Sequence, residues 1–204
     1  MDIFLLTDII GIIAFSLSGF LVGVRNKLDL LGVIISASLT ALGGGIIREH
    51  ILQRTPFAFS EYYPAATLVI VIIIAFAFQS LRSDKIEHKW LFVVSDTVGL
   101  VAFSITGALL AISAEYNVFG IIILSFLTAV GGGVTRDIMI NKVPAVLVSY
   151  FYVSIALIVA LMLAALNYLN AMSDLAVMAV ALSTVLLRLV AYKQQWHLPT
   201  MSKE

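Results

Sequence analysis

The chain has 204 residues, 61% of them hydrophobic and 12% charged, with a mean hydropathy of +1.08 and a formal net charge of zero. One soluble core cannot hide that much apolar surface, so lipid is the expected solvent. The absence of cysteine excludes disulfides and thiol chemistry, and His50, His88 and His197 lie too far apart to share a metal, so no metal, cofactor or nucleic-acid partner is expected.

Crossing ~30 Å of hydrocarbon takes about 20 apolar residues in helix. Seven stretches qualify, over 3–24, 30–47, 64–81, 90–113, 118–135, 144–166 and 172–192. They predict an all-α integral membrane protein, one membrane domain over 1–204. The first stretch carries Asp2, no basic residue before Arg25 and no small-residue cleavage site, and reads as a retained helix. Ten of the twelve basic residues (Arg25, Lys27, Arg82, Lys85, Lys89, Arg136, Lys142, Arg188, Lys193, Lys203) fall on one side; Arg48 and Arg54 fall opposite. The positive-inside rule then puts the C-terminus in the cytoplasm and the N-terminus outside, in a cell (plasma or inner) membrane.

Set against itself at an offset of 88 residues, the chain agrees at 18 of 49 positions from Asp8 to Pro56. Internal repeats over 1–81 and 89–169 hold three spans each, and 172–192 stands alone. Three is odd, so the second copy starts from the opposite face. The copies are therefore expected to be inverted about a pseudo-two-fold axis in the membrane plane, a 3+3+1 plan.

In the first span of each copy, Gly11 to Gly19 corresponds to Gly99 to Gly107. The small residues suit close helix packing. Ser16 and Ser104 can bond back to their own helices. Asp8 and Asp96 sit just inside their helix starts. They can serve as helix-dipole partners or lie beside Arg48 or Arg136.

The second span carries Thr40, then Gly43-Gly44-Gly45, Arg48 and Glu49. The fifth repeats this as Thr128, Gly131-Gly132-Gly133, Arg136 and Asp137. Each glycine costs about 1 kcal/mol relative to alanine in a helix, so a break is expected at both triplets. Freed backbone groups at that depth need protein or a wet path around them. The alternative is that the glycines only bring helices close. Charged groups so deep usually face a bundle interior or water, although a pair snorkelling at a helix end is a second reading.

With its paired Gly-Gly-Gly-x-x-Arg-[Glu/Asp] motifs on the second and fifth of seven helices, the chain resembles the prokaryotic branch of the trimeric intracellular cation (TRIC) channels. Bacterial members also carry a glycine-transporter domain name. The resemblance implies a homotrimer with a pore in each protomer, helices kinked at Gly43 to Gly45 and Gly131 to Gly133, and a monovalent cation, chiefly potassium, as permeant ion. Animal members carry a Lys-Glu-Val type motif for phosphoinositide where this chain has Ile-Arg-Glu and Thr-Arg-Asp.

The reading is a potassium-permeable channel, with potassium or sodium as permeant ion. Glycine carbonyls and the hydroxyls of Thr40, Thr128, Ser16 and Ser104 replace part of the ion's water. Glu49 and Asp137 offset Arg48 and Arg136, which brace or gate the kinks. The alternative is a secondary transporter of a small zwitterion such as glycine, since broken helices in inverted repeats also build substrate sites. Catalysis is not expected, because no histidine lies inside a span to activate Ser16 or Ser18.

Overall fold

The computed structural model describes residues 3–79, 85–148 and 151–196. Within them lie seven long helices: α1 Ile3–Arg25, α2 Leu30–Ile51, α4 Tyr63–Gln79, α5 Lys85–Ser113, α6 Val118–Met139, α8 Tyr152–Tyr168 and α9 Asp174–Lys193. Two short helices, α3 Phe57–Ser60 and α7 Ala145–Val148, precede α4 and α8. The helices start where a side chain can take over orphan amides. Asp29, Asn117 and Ser173 accept from the Gly32, Gly120 and Ala176 amides at 2.7, 2.9 and 3.2 Å.

At 1.5 Å per residue the 22 residues of α2 and of α6 reach about 33 Å, enough to cross the hydrocarbon. The 17-residue α4 and α8 reach only about 26 Å. The sixth expected span, 144–166, is thus divided: α7 and α8 are separate, and Phe151 caps α8 in a left-handed conformation with φ 49°. The third begins at Tyr63 behind α3, and positions 80 and 81 of that stretch lie outside the described residues.

The element order repeats at the offset of 88: Leu30–Ile51 becomes Val118–Met139, and Phe57–Ser60 becomes Ala145–Val148. α1, α2, α5 and α6 form the centre, with α1 laid along α5 and α2 along α6. α4 packs on α1 and α2, α8 on α5 and α6, and α9 on α5 and α8. Contacts across the centre are reciprocal. A Cβ on Gly11 would fall on the Phe103 ring, and one on Gly99 on the Phe15 ring. Phe15 and Phe103 meet edge to face, centroids 5.3 Å apart. A contact made twice with its partners exchanged is the mark of two-fold symmetry. Outward faces are apolar, as at Val69, Ile73 and Phe78 of α4 and Leu175, Leu182 and Leu186 of α9.

The expected breaks do not occur. α2 and α6 run as uninterrupted α-helix through Gly43 to Gly45 and Gly131 to Gly133. The glycines let the two backbones touch instead. A Cβ on Gly44 would fall on the Thr128 carbonyl oxygen, one on Gly132 on the Thr40 carbonyl oxygen, and one on Gly43 would sit 3.0 Å from the Gly132 Cα. Close backbone approach supplies dispersion and Cα–H···O contacts, which offset the helix-propensity cost. The packing alternative for the triplets is the one the geometry follows.

The crossing separates the glycines by consequence. Gly44→Ala forces the helices apart and costs about 1–3 kcal/mol. Gly133, whose added Cβ meets only the Arg136 Nη2 at 3.8 Å, gains up to about 1 kcal/mol as alanine. Thermal unfolding in detergent is expected to show a lowered midpoint for Gly44→Ala and an unchanged or raised one for Gly133→Ala; equal shifts contradict the crossing.

Candidate functional site

Two clusters of buried charge flank the glycine crossing. In the first, α1 brings Asp8 and the last turn of α2 brings Arg48 and Glu49 to the same end of the bundle. Arg48 is 1% exposed and Asp8 0%. The Arg48 Nη1 donates to Asp8 Oδ1 and to Thr106 Oγ1, both at 3.2 Å. Its Nε and Nη2 donate to Glu49 Oε1 at 3.0 and 2.8 Å. The Tyr63 hydroxyl donates to Asp8 Oδ2 at 3.0 Å, and the Phe4 and Phe57 rings lie 5.6 and 5.2 Å from the guanidinium carbon. A rigid fork with two carboxylates and two aromatic faces is how a guanidinium survives out of water.

In the second cluster, at the other end, the Arg136 Nε donates to Asp137 Oδ1 at 2.9 Å, and its Nη2 lies 2.8 Å from the same oxygen. Asp137 Oδ2 accepts from the Ala145 amide at the start of α7 at 2.9 Å. Arg136 does not bridge Asp96; its Nη1 points to Thr40 Oγ1 on α2 at 3.3 Å. Asp96, half-buried, accepts from Ser18 Oγ at 3.1 Å and has Tyr152, Arg136 and Arg188 as neighbours. The Arg188 guanidinium, carried by α9, lies 5.1 Å from the centre of the Tyr152 ring. Neither arginine of the motif snorkels: Arg136 is 3% exposed, so that reading is set aside for both.

Between the clusters the hydroxyls are tied down. Thr40 and Thr128 donate to the Ser36 and Leu124 carbonyls, each at 2.6 Å, and Ser104 to the Leu100 carbonyl at 2.7 Å. Ser16, equally buried, has a hydroxyl with no hydrogen-bond partner. The back-bonded reading therefore holds for Ser104. Among the described residues no group of side chains could hold a metal ion.

The repeated aspartates fall where the second alternative put them, beside the arginines, although only Asp8 is bridged. Sequence reasoning missed Tyr63, Thr106, Ser18, Tyr152 and Arg188. Ser18 and Thr106 were findable, since each lies ten residues after its repeat's aspartate.

The family model described as "Glycine transporter" matches residues 5–80 and 93–168, once per repeat. The UPF0126 membrane protein YvgT of Bacillus subtilis is 36% identical over 200 residues, 97% of this chain and 96% of that protein. A UPF0126 membrane protein of Deinococcus radiodurans is 39% identical over 142 residues; the match spans 69% of this chain and 64% of that one. Among solved structures, a TRIC cation channel studied for its conductance aligns with TM-score 0.85 at 37% identity, over 98% of this chain and 97% of that one. A prokaryotic TRIC channel crystallised in 0.5 M KCl aligns with TM-score 0.85 at 30% identity, over 96% and 98%. The trimeric intracellular cation channel orthologue of Rhodobacter sphaeroides aligns with TM-score 0.83 at 28% identity, over 96% and 100%.

Removing one partner of a buried charge group strands the others. Arg48→Ala leaves Asp8 and Glu49 without a cation and is expected to cost about 3–5 kcal/mol. Tyr63→Phe removes one hydrogen bond to Asp8 and costs about 1.5–3 kcal/mol. Unfolding midpoints in detergent check the order; an Arg48→Ala protein as stable as the parent contradicts the cluster's structural weight.

Proposed function

This chain belongs to the Gly_transporter (UPF0126) family and is a prokaryotic homologue of the TRIC cation channels; from that premise we propose a potassium-permeable channel with one conduction path through each protomer, between the two repeats. The observation that carries the reading is the near-full-length likeness to a conducting channel at 37% identity. The family is one of channels and membrane proteins, not of enzymes.

The geometry supports a closed state. Each end of the four central helices carries an arginine beside a carboxylate, and the dry crossing of α2 and α6 lies between. On this reading Gly43 to Gly45 and Gly131 to Gly133 are the constriction, held by backbone contact without interlocking side chains. When α2 and α6 part, Thr40, Thr128, Ser16 and Ser104 offer oxygens in place of the ion's water. Asp8, Glu49, Asp96 and Asp137 favour cations over anions. Arg48 and Arg136 brace the helix ends, because an unpaired guanidinium in the passage repels potassium. Sodium is the competing permeant ion.

A homotrimer in the cell membrane follows from the likeness to the Rhodobacter channel. The one-sided basic residues favour an external N-terminus and a cytoplasmic C-terminus. A second reading, a transporter of glycine or a similar zwitterion, is favoured by the family's description.

Purified protein in planar bilayers under a KCl gradient is expected to give unitary currents that reverse near the potassium potential, and liposomes to show no gradient-coupled glycine uptake. Saturable, gradient-driven glycine uptake without unitary currents overturns the channel reading.

A further inference from the structure

The duplication supplies an internal control, and the two clusters fail to match at one point. Asp8 and Asp96 occupy the same position in the two copies, as do Arg48 and Arg136, and Thr106 and Ser18. In the first copy the arginine bridges the aspartate at 3.2 Å and touches Thr106 on α5. In the second the arginine leaves its aspartate and reaches Thr40 on α2 instead. Thr40 belongs to the crossing itself. Its carbonyl faces Gly132, and its hydroxyl lies where a Cβ on Gly19 would fall.

What differs around Asp96 is α9, the one long helix with no twin. It delivers Arg188, 5% exposed, against the Tyr152 ring, with Asp96 among its charged neighbours. The first copy has no such cation: Asp8 has Arg48 and the neutral Tyr63 hydroxyl. Two arginines therefore face Asp96 and Asp137 at this end, where one faces Asp8 and Glu49 at the other. A carboxylate already supplied with a counter-charge exerts less pull on a second guanidinium.

We propose that Arg188 is a positioning residue: by serving as the counter-charge of Asp96 it leaves Arg136 at Thr40, across the α2–α6 crossing, and so sets how often the path opens. The open arrangement is the one the first copy displays, with Arg136 drawn onto Asp96 and its positive charge withdrawn from the crossing. This rests on the channel reading above and deepens it.

The test is single-channel recording of wild type, Arg188→Gln, Asp96→Asn and the double variant, each first shown to elute as the wild-type assembly. Arg188→Gln is expected to raise open probability at least threefold with unitary conductance unchanged, because Asp96 then recruits Arg136. Arg188→Lys keeps the charge and stays within twofold of wild type. Asp96→Asn removes the docking point and lowers open probability, and the double variant behaves like Asp96→Asn alone. A merely structural Arg188 gives a different pattern, in which both arginine substitutions act alike and add to the effect of Asp96→Asn. That pattern overturns the proposal, as does wild-type open probability in Arg188→Gln. Should Arg188→Gln fail to assemble, the proposal stands or falls on whether Asp96→Asn lowers open probability while Arg188→Lys stays near wild type. Absence of wild-type current is a distinct result, and it counts against the channel reading itself.

Discussion

A guanidinium cannot sit at the depth of a transmembrane bundle unless protein supplies every charge and hydrogen bond that water would have given it. Arg48 meets that demand by drawing together α1, α2, α4 and α5 through Asp8, Glu49, Tyr63 and Thr106. Arg136 does so through Asp137 and Thr40, binding α6 to α2. The central four helices therefore owe their placement to two polar clasps, one at each end, as well as to small residues. Lipid provides no hydrophobic push between helices, so these clasps and the glycine contacts carry the association.

The glycine crossing gives the bundle its only close backbone contact between α2 and α6 of this kind on both copies at once: Gly44 on Thr128 and Gly132 on Thr40. Such a contact is shallow. Without side-chain interdigitation, parting the helices costs dispersion but breaks no hydrogen-bonded ladder. That suits a constriction that must open and reclose, and it leaves the clasps at either end as the points where charge can bias the equilibrium.

Much of this was legible in the sequence. Seven apolar stretches, the offset of 88 and the doubled glycine motif gave the helices and the repeat, because apolar runs of bilayer length and self-similarity need no tertiary knowledge. The interruption at the glycines was misjudged for a physical reason. Helix propensity counts the cost of glycine and cannot see the neighbouring backbone that repays it, here the carbonyls of Thr40 and Thr128. Partners far along the chain were equally hidden. Tyr63 falls where the copies diverge, and Arg188 sits on a helix that no repeat comparison reaches. Ser18 and Thr106, by contrast, were visible in the repeat and needed only to be compared with the aspartates.

Because the chain has no cysteine of its own, a single introduced thiol reports on one position without background. A thiol at Thr128, recorded in bilayers with a cationic, water-soluble thiol reagent, tests most directly whether ions pass between the repeats beside the crossing. Thr128→Cys channels are expected to lose their potassium current on exposure, more slowly in high potassium, while Leu182→Cys on the lipid-facing side of α9 keeps its current. Full potassium current through Thr128→Cys channels that never react would contradict a path between the repeats.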